Sequence, residues 1–184
     1  MEDITHMLIS HLHADHIVGA TRVVNGRRVP TFPNARYFVM EREWVNMPPA
    51  GSPLAGLINT QKHALMDAGV VRFVPKEEEI VPGITFVPAP GETPGHAIVR
   101  VAAGGEVVYY LADLFHQPAE ILHPDWLPSR RNREQLIATR KTLLPRFAAE
   151  NAWLIPAHFR FPAVGRVQQD GKQYVWKPLS ADRR

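Results

Sequence analysis

The 184-residue chain has 45% hydrophobic and 21% charged residues, a composition typical of a folded globular domain. It contains no cysteine, which excludes disulfides, thiolate zinc sites, iron–sulfur clusters and a cysteine nucleophile, so any metal must bind to His, Asp or Glu. The net charge of +3 is too small to indicate a polyanionic partner. Because no apolar run approaches the roughly 18 residues that span a bilayer, and the first residues lack a basic and apolar leader, we predict a cytoplasmic protein with no membrane contact.

The first half of the chain alternates short apolar runs with turn residues. Residues 4–9 form an apolar run typical of a buried strand, and a polar cluster, residues 11–16, follows directly. Asn25-Gly26 predicts a two-residue hairpin turn between strands at residues 21–24 and 28–32. The other elements predicted in this half are strands at residues 36–40 and 70–74 and a helix from Leu54 to Ala68.

The second half combines several predicted strands with one long helix at residues 132–150. Asn132 and Gln135 form a capping pair at the start of this helix, while Pro145 predicts a kink or an end near Leu144. The apolar face of the predicted helix comprises Leu136, Ile137, Leu143, Leu144 and Phe147. The basic residues are expected away from this face: Arg133, Arg140, Lys141 and Arg146. Strands are predicted at residues 84–87, 97–101, 106–111, 152–155 and 173–176, before a frayed tail at residues 180–184.

A dense group of metal-capable side chains follows the first predicted strand. His11 and His13 are two residues apart, so they point to the same side of an extended segment, and both imidazoles can reach one ion. Asp15 and His16 follow where the backbone turns and can coordinate a second ion nearby. Two ions about 3.5–4 Å apart can clamp a water-derived hydroxide and a leaving oxygen together.

Further candidate ligands lie beside the ends of later predicted strands. They are His96 in Thr93-Pro94-Gly95-His96, Asp113 in Leu111-Ala112-Asp113, and His158 in Pro156-Ala157-His158. Taken singly, each has an ordinary alternative, since His96 fits a turn, Asp113 a helix cap and His158 the core. Their shared position at strand ends favours a common metal centre over three separate structural roles.

The order of these motifs resembles the metallo-β-lactamase-fold hydrolase superfamily, and the resemblance covers nearly the whole chain. Within that superfamily, Phe32-Pro33-Asn34-Ala35 and residues 157–162 look like the branch that contains methyl parathion hydrolase and lactonase-type enzymes. The resemblance implies an α/β fold (α+β layered), which in complete relatives is an αβ/βα sandwich. It also implies two divalent metal ions, with zinc as the default and manganese, iron or cobalt as alternatives.

The resemblance also implies a role for each candidate residue. One ion would be held by His11, His13 and His96, the other by Asp15, His16 and His158, and Asp113 would bridge them. Asp113 and Asp15 would be catalytic as well: the bridging Asp113 and the two ions would lower the pKa of a shared water, and Asp15 would orient the resulting hydroxide. His116, three residues past Asp113, is a candidate donor to a substrate or leaving group, where lactonase relatives often use a tyrosine; a supporting or surface role is its alternative.

The chain departs from the superfamily before its first motif. Only ten residues precede His11, whereas relatives usually place several strands and a helix there. We therefore expect residues 1–184 to form a single, N-terminally truncated domain, a partial sandwich comprising mainly the second half of the fold. Because nothing near residues 4–9 blunts an exposed strand edge, we also expect a homo-oligomer. Because the first segments of the fold are missing, we expect activity that is weak or absent relative to a complete relative.

The sequence thus predicts a dinuclear hydrolase of small esters, lactones or phosphotriesters that acts through a metal-bridging hydroxide. We expect a small-molecule substrate rather than nucleic acid. A nucleic-acid phosphodiesterase of the same fold is the alternative, mildly favoured by the pI near 9.4. A catalytically impaired metal-binding fragment or assembly module, from a different functional class, is a further alternative motivated by the missing first segments.

Overall fold

The computed structural model describes residues 1–179 as two compact units built from strands and helices. The first unit comprises Met1–Lys76 and Thr93–His96, and the second comprises Glu77–Glu92 and the chain from Ala97 onward. This mixture of sheets and helices confirms the predicted α/β class. The frayed tail predicted at residues 180–184 lies outside the described residues, and the single truncated domain stays a prediction. No helix within residues 1–179 is long and apolar enough to cross a membrane.

The first unit is built on a parallel sheet with the strand order β1-β4-β5. Its apolar core includes Leu12, Ile17, Tyr37, Val39 and Leu65, each of which is fully buried. The elements of this unit are β1 (His6–Ile9), α1 (Ala14–Ile17), β2 (Thr21–Val24), β3 (Arg27–Pro30), β4 (Arg36–Met40), α2 (Glu41–Asn46), α3 (Ala55–Asp67) and β5 (Val71–Val74).

The predicted hairpin is present between β2 and β3, which pair antiparallel. Asn25 and Gly26 both have positive φ values, 51° and 77°, as a tight hairpin turn with the right-handed twist of its strands requires. The second strand of the hairpin is Arg27–Pro30 rather than residues 28–32. It ends early because Phe32 enters a turn, where the Ala35 amide donates to the Phe32 carbonyl.

The second unit is built on a larger sheet with the strand order β12-β11-β10-β9-β8-β7-β6. Neighbouring strands pair antiparallel except β9 and β10, which are parallel because a helix lies between them in the chain and returns it across the sheet. The elements of this unit are β6 (Glu78–Val81), β7 (Ile84–Pro88), β8 (Ala97–Ala103), β9 (Glu106–Ala112), α4 (Ala119–Leu122), α5 (Arg133–Ala149), β10 (Trp153–Pro156), β11 (Gly165–Asp170) and β12 (Gln173–Pro178).

The long helix α5 begins and packs partly as predicted. Asn132 caps it, since its side chain accepts a hydrogen bond from the Gln135 amide at 3.0 Å. The helix continues through Pro145 to Ala149, so the alternative of an end near Leu144 is wrong. The assignment of Arg140 away from the apolar face is also wrong, because its side chain is fully buried.

Candidate metal centre

The first unit carries the histidine-rich part of the predicted site. His11 and His13 lie in the loop between β1 and α1, and His16 lies in α1 itself. This loop follows the carboxyl end of a parallel strand, which is where open α/β sheets bind their ligands. His96 belongs to the same unit, in the segment Thr93–His96.

The imidazoles of the first unit converge on His11. The Nε2 atom of His11 is 3.0 Å from Nδ1 of His13. The centroid of the His11 ring lies 4.1 Å from that of His16 and 5.0 Å from that of His96. Asp15 is more peripheral: its side chain is 62% exposed, and its Oδ2 atom is 3.5 Å from Nε2 of His16. The structure therefore gathers the predicted ligands of this unit around one point.

This donor set suits a divalent ion of the zinc type. His11 and His96 are fully buried, so a proton on either ring would place a poorly solvated charge in the interior. Neutral imidazole nitrogens, with a carboxylate at the edge, are instead ligands of zinc and similar transition metals. Nitrogens of His11 and His13 that are 3.0 Å apart are close enough to ligate one ion at the usual Zn–N distance of about 2.0–2.1 Å, so the residues of this unit fit the metal that the resemblance implies.

The second unit brings together Asp113, His116 and His158. Asp113 follows β9 and His158 follows β10, and because these parallel strands are neighbours, their carboxyl ends meet at one edge of the sheet. Asp113 Oδ1 is 3.1 Å from His158 Nε2, and Asp113 Oδ2 is 3.5 Å from His116 Nε2. One ligand atom from each of the three residues lies within 4.8 Å of the others.

The backbone at Asp113 adopts an unusual conformation. Ala112, which precedes it, has a φ of 45°, in the left-handed region that residues other than glycine rarely occupy. The Ala112 carbonyl accepts a hydrogen bond from the amide of Ala157 at 3.1 Å, directly before His158. Backbone strain of this kind is often retained at functional sites, and here it orients the turn that carries the candidate bridging carboxylate.

Carboxylates surround His116. Its ring nitrogens lie 3.9 Å from Glu92 and 3.9 Å from Glu120, in addition to the contact with Asp113. Burial lowers the pKa of His116, but hydrogen bonds to Asp113 and Glu120 outweigh it and raise the pKa to about 9. The ring also stacks on His158 at 5.4 Å. This group of acids therefore attracts positive charge, which fits a role in holding a cation.

Sequence reasoning missed several acidic residues that support these clusters. Glu43 is fully buried in the first unit, and Glu92 is 4% exposed in the second, where Arg131 Nε lies 2.6 Å from its carboxylate. Burial raises the pKa of Glu92, although the hydrogen bond from Arg131 opposes the shift. Glu120 pairs with Arg140, and the spacing of Arg140 from Leu136 and Leu143 indicates only that Arg140 faces the interior, not which residue is its partner. No sequence pattern marks Glu43.

A family comparison identifies the fold to which these clusters belong. The model of the Metallo-beta-lactamase superfamily matches residues 2–158 of the chain. The chain belongs to the metallo-beta-lactamase superfamily. The predicted superfamily is thereby confirmed, and the roles of individual site residues stay predictions. No curated protein sequence matches this superfamily member.

Solved structures of the same fold include lactonases and other hydrolases. The chain is 28% identical, with a TM-score of 0.81, to AidC, a dizinc quorum-quenching lactonase in complex with a product; the match covers 97% of this chain and 65% of that one. It is 23% identical, with a TM-score of 0.81, to the hydrolase AbOPH, over 97% of this chain and 65% of that one. A probable metal-dependent hydrolase from Staphylococcus aureus is 22% identical, with a TM-score of 0.76, over 98% of this chain and 64% of that one. This superfamily member therefore spans about two thirds of the length of these proteins.

Proposed function

We propose that this chain is a dinuclear, metal-dependent hydrolase of small lactones and esters, with phosphotriesters as a further substrate class. The observation that carries the proposal is the convergence of His13, His16 and His96 on the buried ring of His11. The 28% identity to a dizinc lactonase supports lactones as the first substrates to test and zinc as the first metal.

The first unit carries the proposed ligands of one ion. His11, His13 and His96 hold one ion in this proposal, as their geometry allows. The assignment of Asp15, His16 and His158 to a second ion, with Asp113 as the bridge, rests on the family resemblance alone. When bound, two such ions lower the pKa of water and polarise the C=O or P=O bond of a substrate.

The chain's own side chains have defined tasks in hydrolysis, which adds water across a C–O bond to give an acid and an alcohol. The negative charge of Asp113 offsets the repulsion between two nearby cations. His116 presents its Nε2 atom beside Asp113, where it can orient a substrate oxygen or hand a proton to the departing alkoxide. In a lactone the acid and the alcohol stay in one product, an open hydroxy acid.

Metal analysis and a substrate panel test the proposal. The purified chain is loaded with excess zinc, manganese or cobalt, desalted and analysed, and we expect more than one ion per folded chain. Hydrolysis of a lactone, an aryl ester, a phosphotriester and a short RNA is then measured with and without chelator. His11→Ala removes a proposed ligand, and His63→Ala removes an exposed histidine on α3 as the matched control. Folded protein without metal refutes the proposal, and metal-dependent cleavage of RNA alone supports the phosphodiesterase alternative.

The proposal extends to the assembly of the protein. Among residues 1–179, β1 pairs with β4 and forms an edge of its sheet. Exposed strand edges favour association with a second chain, which supports a homo-oligomer. A cytoplasmic location stays a prediction from the sequence.

A further inference from the structure

The helix α2 places a carboxylate in the interior of the first unit. Glu43, the third residue of this helix, has no solvent-exposed surface. Acidic residues are almost never fully buried unless their oxygens are paired, because the charge loses its hydration. The hydrogen bonds of Glu43 therefore indicate what the carboxylate is for.

Both oxygens of Glu43 bind the loops that carry the candidate metal ligands. Oε1 accepts a hydrogen bond from the amide of Leu12 at 2.7 Å, and Leu12 lies between His11 and His13. Oε2 accepts from the Thr93 hydroxyl at 2.6 Å and from the Gly95 amide at 2.9 Å. One carboxylate thus joins two loops that are about 80 residues apart in the sequence, at positions adjacent to three proposed ligands.

Gly95 shows independently how closely the second loop approaches the helix. A Cβ atom at this position would lie 2.1 Å from the backbone nitrogen of Glu43 and 2.6 Å from its Cα. Both atoms belong to the backbone and cannot move aside as the end of a side chain can. A glycine is therefore required here, and the turn before His96 packs directly on the start of α2.

The surroundings of Glu43 favour its role as an acceptor. Burial raises the pKa of Glu43 above its ordinary value, and the hydrogen bonds from Thr93, Leu12 and Gly95 and the nearby charge of Lys62 offset only part of this rise. Lys62 Nζ donates to the backbone carbonyls of Trp44 at 2.7 Å and Met47 at 2.6 Å, at the end of the same helix. A carboxylate is acceptor-only, so it matches the donors that surround it.

We propose that Glu43 is a positioning residue that fixes His11, His13 and His96 in the geometry of one metal site by holding the backbone beside each of them. The inference rests on the proposed function, in that these three histidines bind metal. Supporting groups in metal sites usually hydrogen-bond the ligand side chain itself. Glu43 instead fixes the amides of Leu12 and Gly95, so that neither loop can shift the backbone that carries its imidazoles without breaking a buried hydrogen bond to the Glu43 carboxylate.

The test compares metal affinity in variants that stay folded. Glu43→Gln keeps the size of the side chain but sets an NH2 group against the Gly95 amide. Thr93→Val removes the hydroxyl donor at nearly constant volume. Glu150→Gln is the matched control, since Glu150 is a carboxylate of the second unit that is held by Arg100 at 2.9 Å and Tyr109 at 3.0 Å. Circular dichroism and thermal unfolding in chelator confirm which variants are folded.

The affinity of each protein for Co²⁺ and Zn²⁺ is measured by competition with a chromophoric chelator, and the visible spectrum of bound Co²⁺ reports the ligand geometry. We expect Glu43→Gln to weaken binding about 10- to 100-fold and to change the Co²⁺ spectrum, as loss of supporting groups does at other metal sites. Thr93→Val has a smaller effect in the same direction. Glu150→Gln changes stability but neither the affinity nor the spectrum.

Each result separates this inference from the proposed function. If the unmodified chain binds no metal, the proposed function fails. If the unmodified chain binds metal and folded Glu43→Gln binds it with the same affinity and spectrum, the positioning role of Glu43 is wrong. If Glu43→Gln does not fold, Thr93→Val decides: weaker binding supports the role, and unchanged binding overturns it.

Discussion

The buried ion pair between Glu120 and Arg140 yields a quantitative stability prediction. Arg140 is fully buried and Glu120 is 2% exposed. Arg140 Nη2 contacts Glu120 Oε2, and the other guanidinium nitrogens donate to three backbone carbonyls. These are the carbonyls of Leu114 at 2.9 Å, Pro124 at 3.2 Å and Trp126 at 2.5 Å. The Arg140 side chain of α5 thus holds the segment that follows Asp113 in place through hydrogen bonds to its backbone.

Replacement of Arg140 by methionine keeps an apolar stem of similar length and removes every one of these donors. The buried carboxylate of Glu120 then loses its guanidinium partner and keeps only the ring of His116, 3.9 Å away, as a nearby cation, and loss of one partner costs about 3–5 kcal/mol in comparable buried pairs. Small domains have about 5–15 kcal/mol of total stability, so the variant loses a large share of it. The double variant Glu120→Gln/Arg140→Met carries no unpaired charge, and we expect it to recover about 1–3 kcal/mol of the loss.

Equilibrium unfolding in urea, with chelator present, measures these differences. Lys141→Met is the matched control, because Lys141 is the exposed neighbour of Arg140, and it should change the free energy of unfolding by at most about 0.5 kcal/mol. A loss below about 1 kcal/mol for Arg140→Met would refute the reasoning. The reasoning is also refuted if the double variant is as unstable as Arg140→Met alone. In that case the charge left on Glu120 would not be the cause of the lost stability.

Five further predictions concern the proposed metal site, the titration of a buried tyrosine and the assembly. Asp113→Asn should lower the metal content of the loaded chain because it removes the bridging charge, whereas His116→Ala should lower turnover with the metal content unchanged. Burial is the main cause that raises the pKa of Tyr109 to about 12, from an ordinary value of 10. Its stabilising contribution is therefore complete below pH 10 and is lost as the pH rises towards 12. The full loss, reached once the pH passes 12, is on the order of 3 kcal/mol in unfolding titrations, and Tyr109→Phe should abolish it. Removal of the metal with chelator should leave the far-ultraviolet circular dichroism spectrum unchanged. Light scattering at micromolar concentration should show a dimer or larger species, and a cooperative monomer would contradict the proposed assembly.

The sequence was sufficient to predict elements whose signals are local. The apolar run before His11 and the Asn25-Gly26 turn both depend on neighbouring residues, and β1 and the β2–β3 hairpin are present. The strand Gly165–Asp170 was missed because its outer half is polar and exposed, as suits its place near the edge of the sheet. Such a strand is stabilised by pairing with β10 and β12 rather than by a pattern of its own.

The burial of Arg140 could be predicted from its spacing along the helix, whereas the role of Glu43 could not be predicted from the sequence. Arg140 lies four residues after Leu136 and three before Leu143, which places it on the apolar face of α5. The prediction that Arg140 lies away from this face is wrong because its charge, which ordinarily favours solvent, is compensated by buried acceptors. The role of Glu43 depends on Leu12 and Gly95, which are distant in sequence, so only the folded chain brings the acceptor and its donors together.

The two ligand groups share a physical design that separates folding from metal binding. In the first unit, Glu43 holds the loops beside the histidines through backbone amides, and in the second, Arg140 holds the segment after Asp113 through backbone carbonyls. Both devices are buried and complete within the protein, so the energy that orders the ligand loops comes from charge-assisted hydrogen bonds. In small metal-stabilised domains that energy comes from the metal itself, and chelators unfold them. In the proposed function, the binding energy of an ion is therefore not consumed in ordering the chain, and we expect chelation to remove the proposed activity without unfolding the protein.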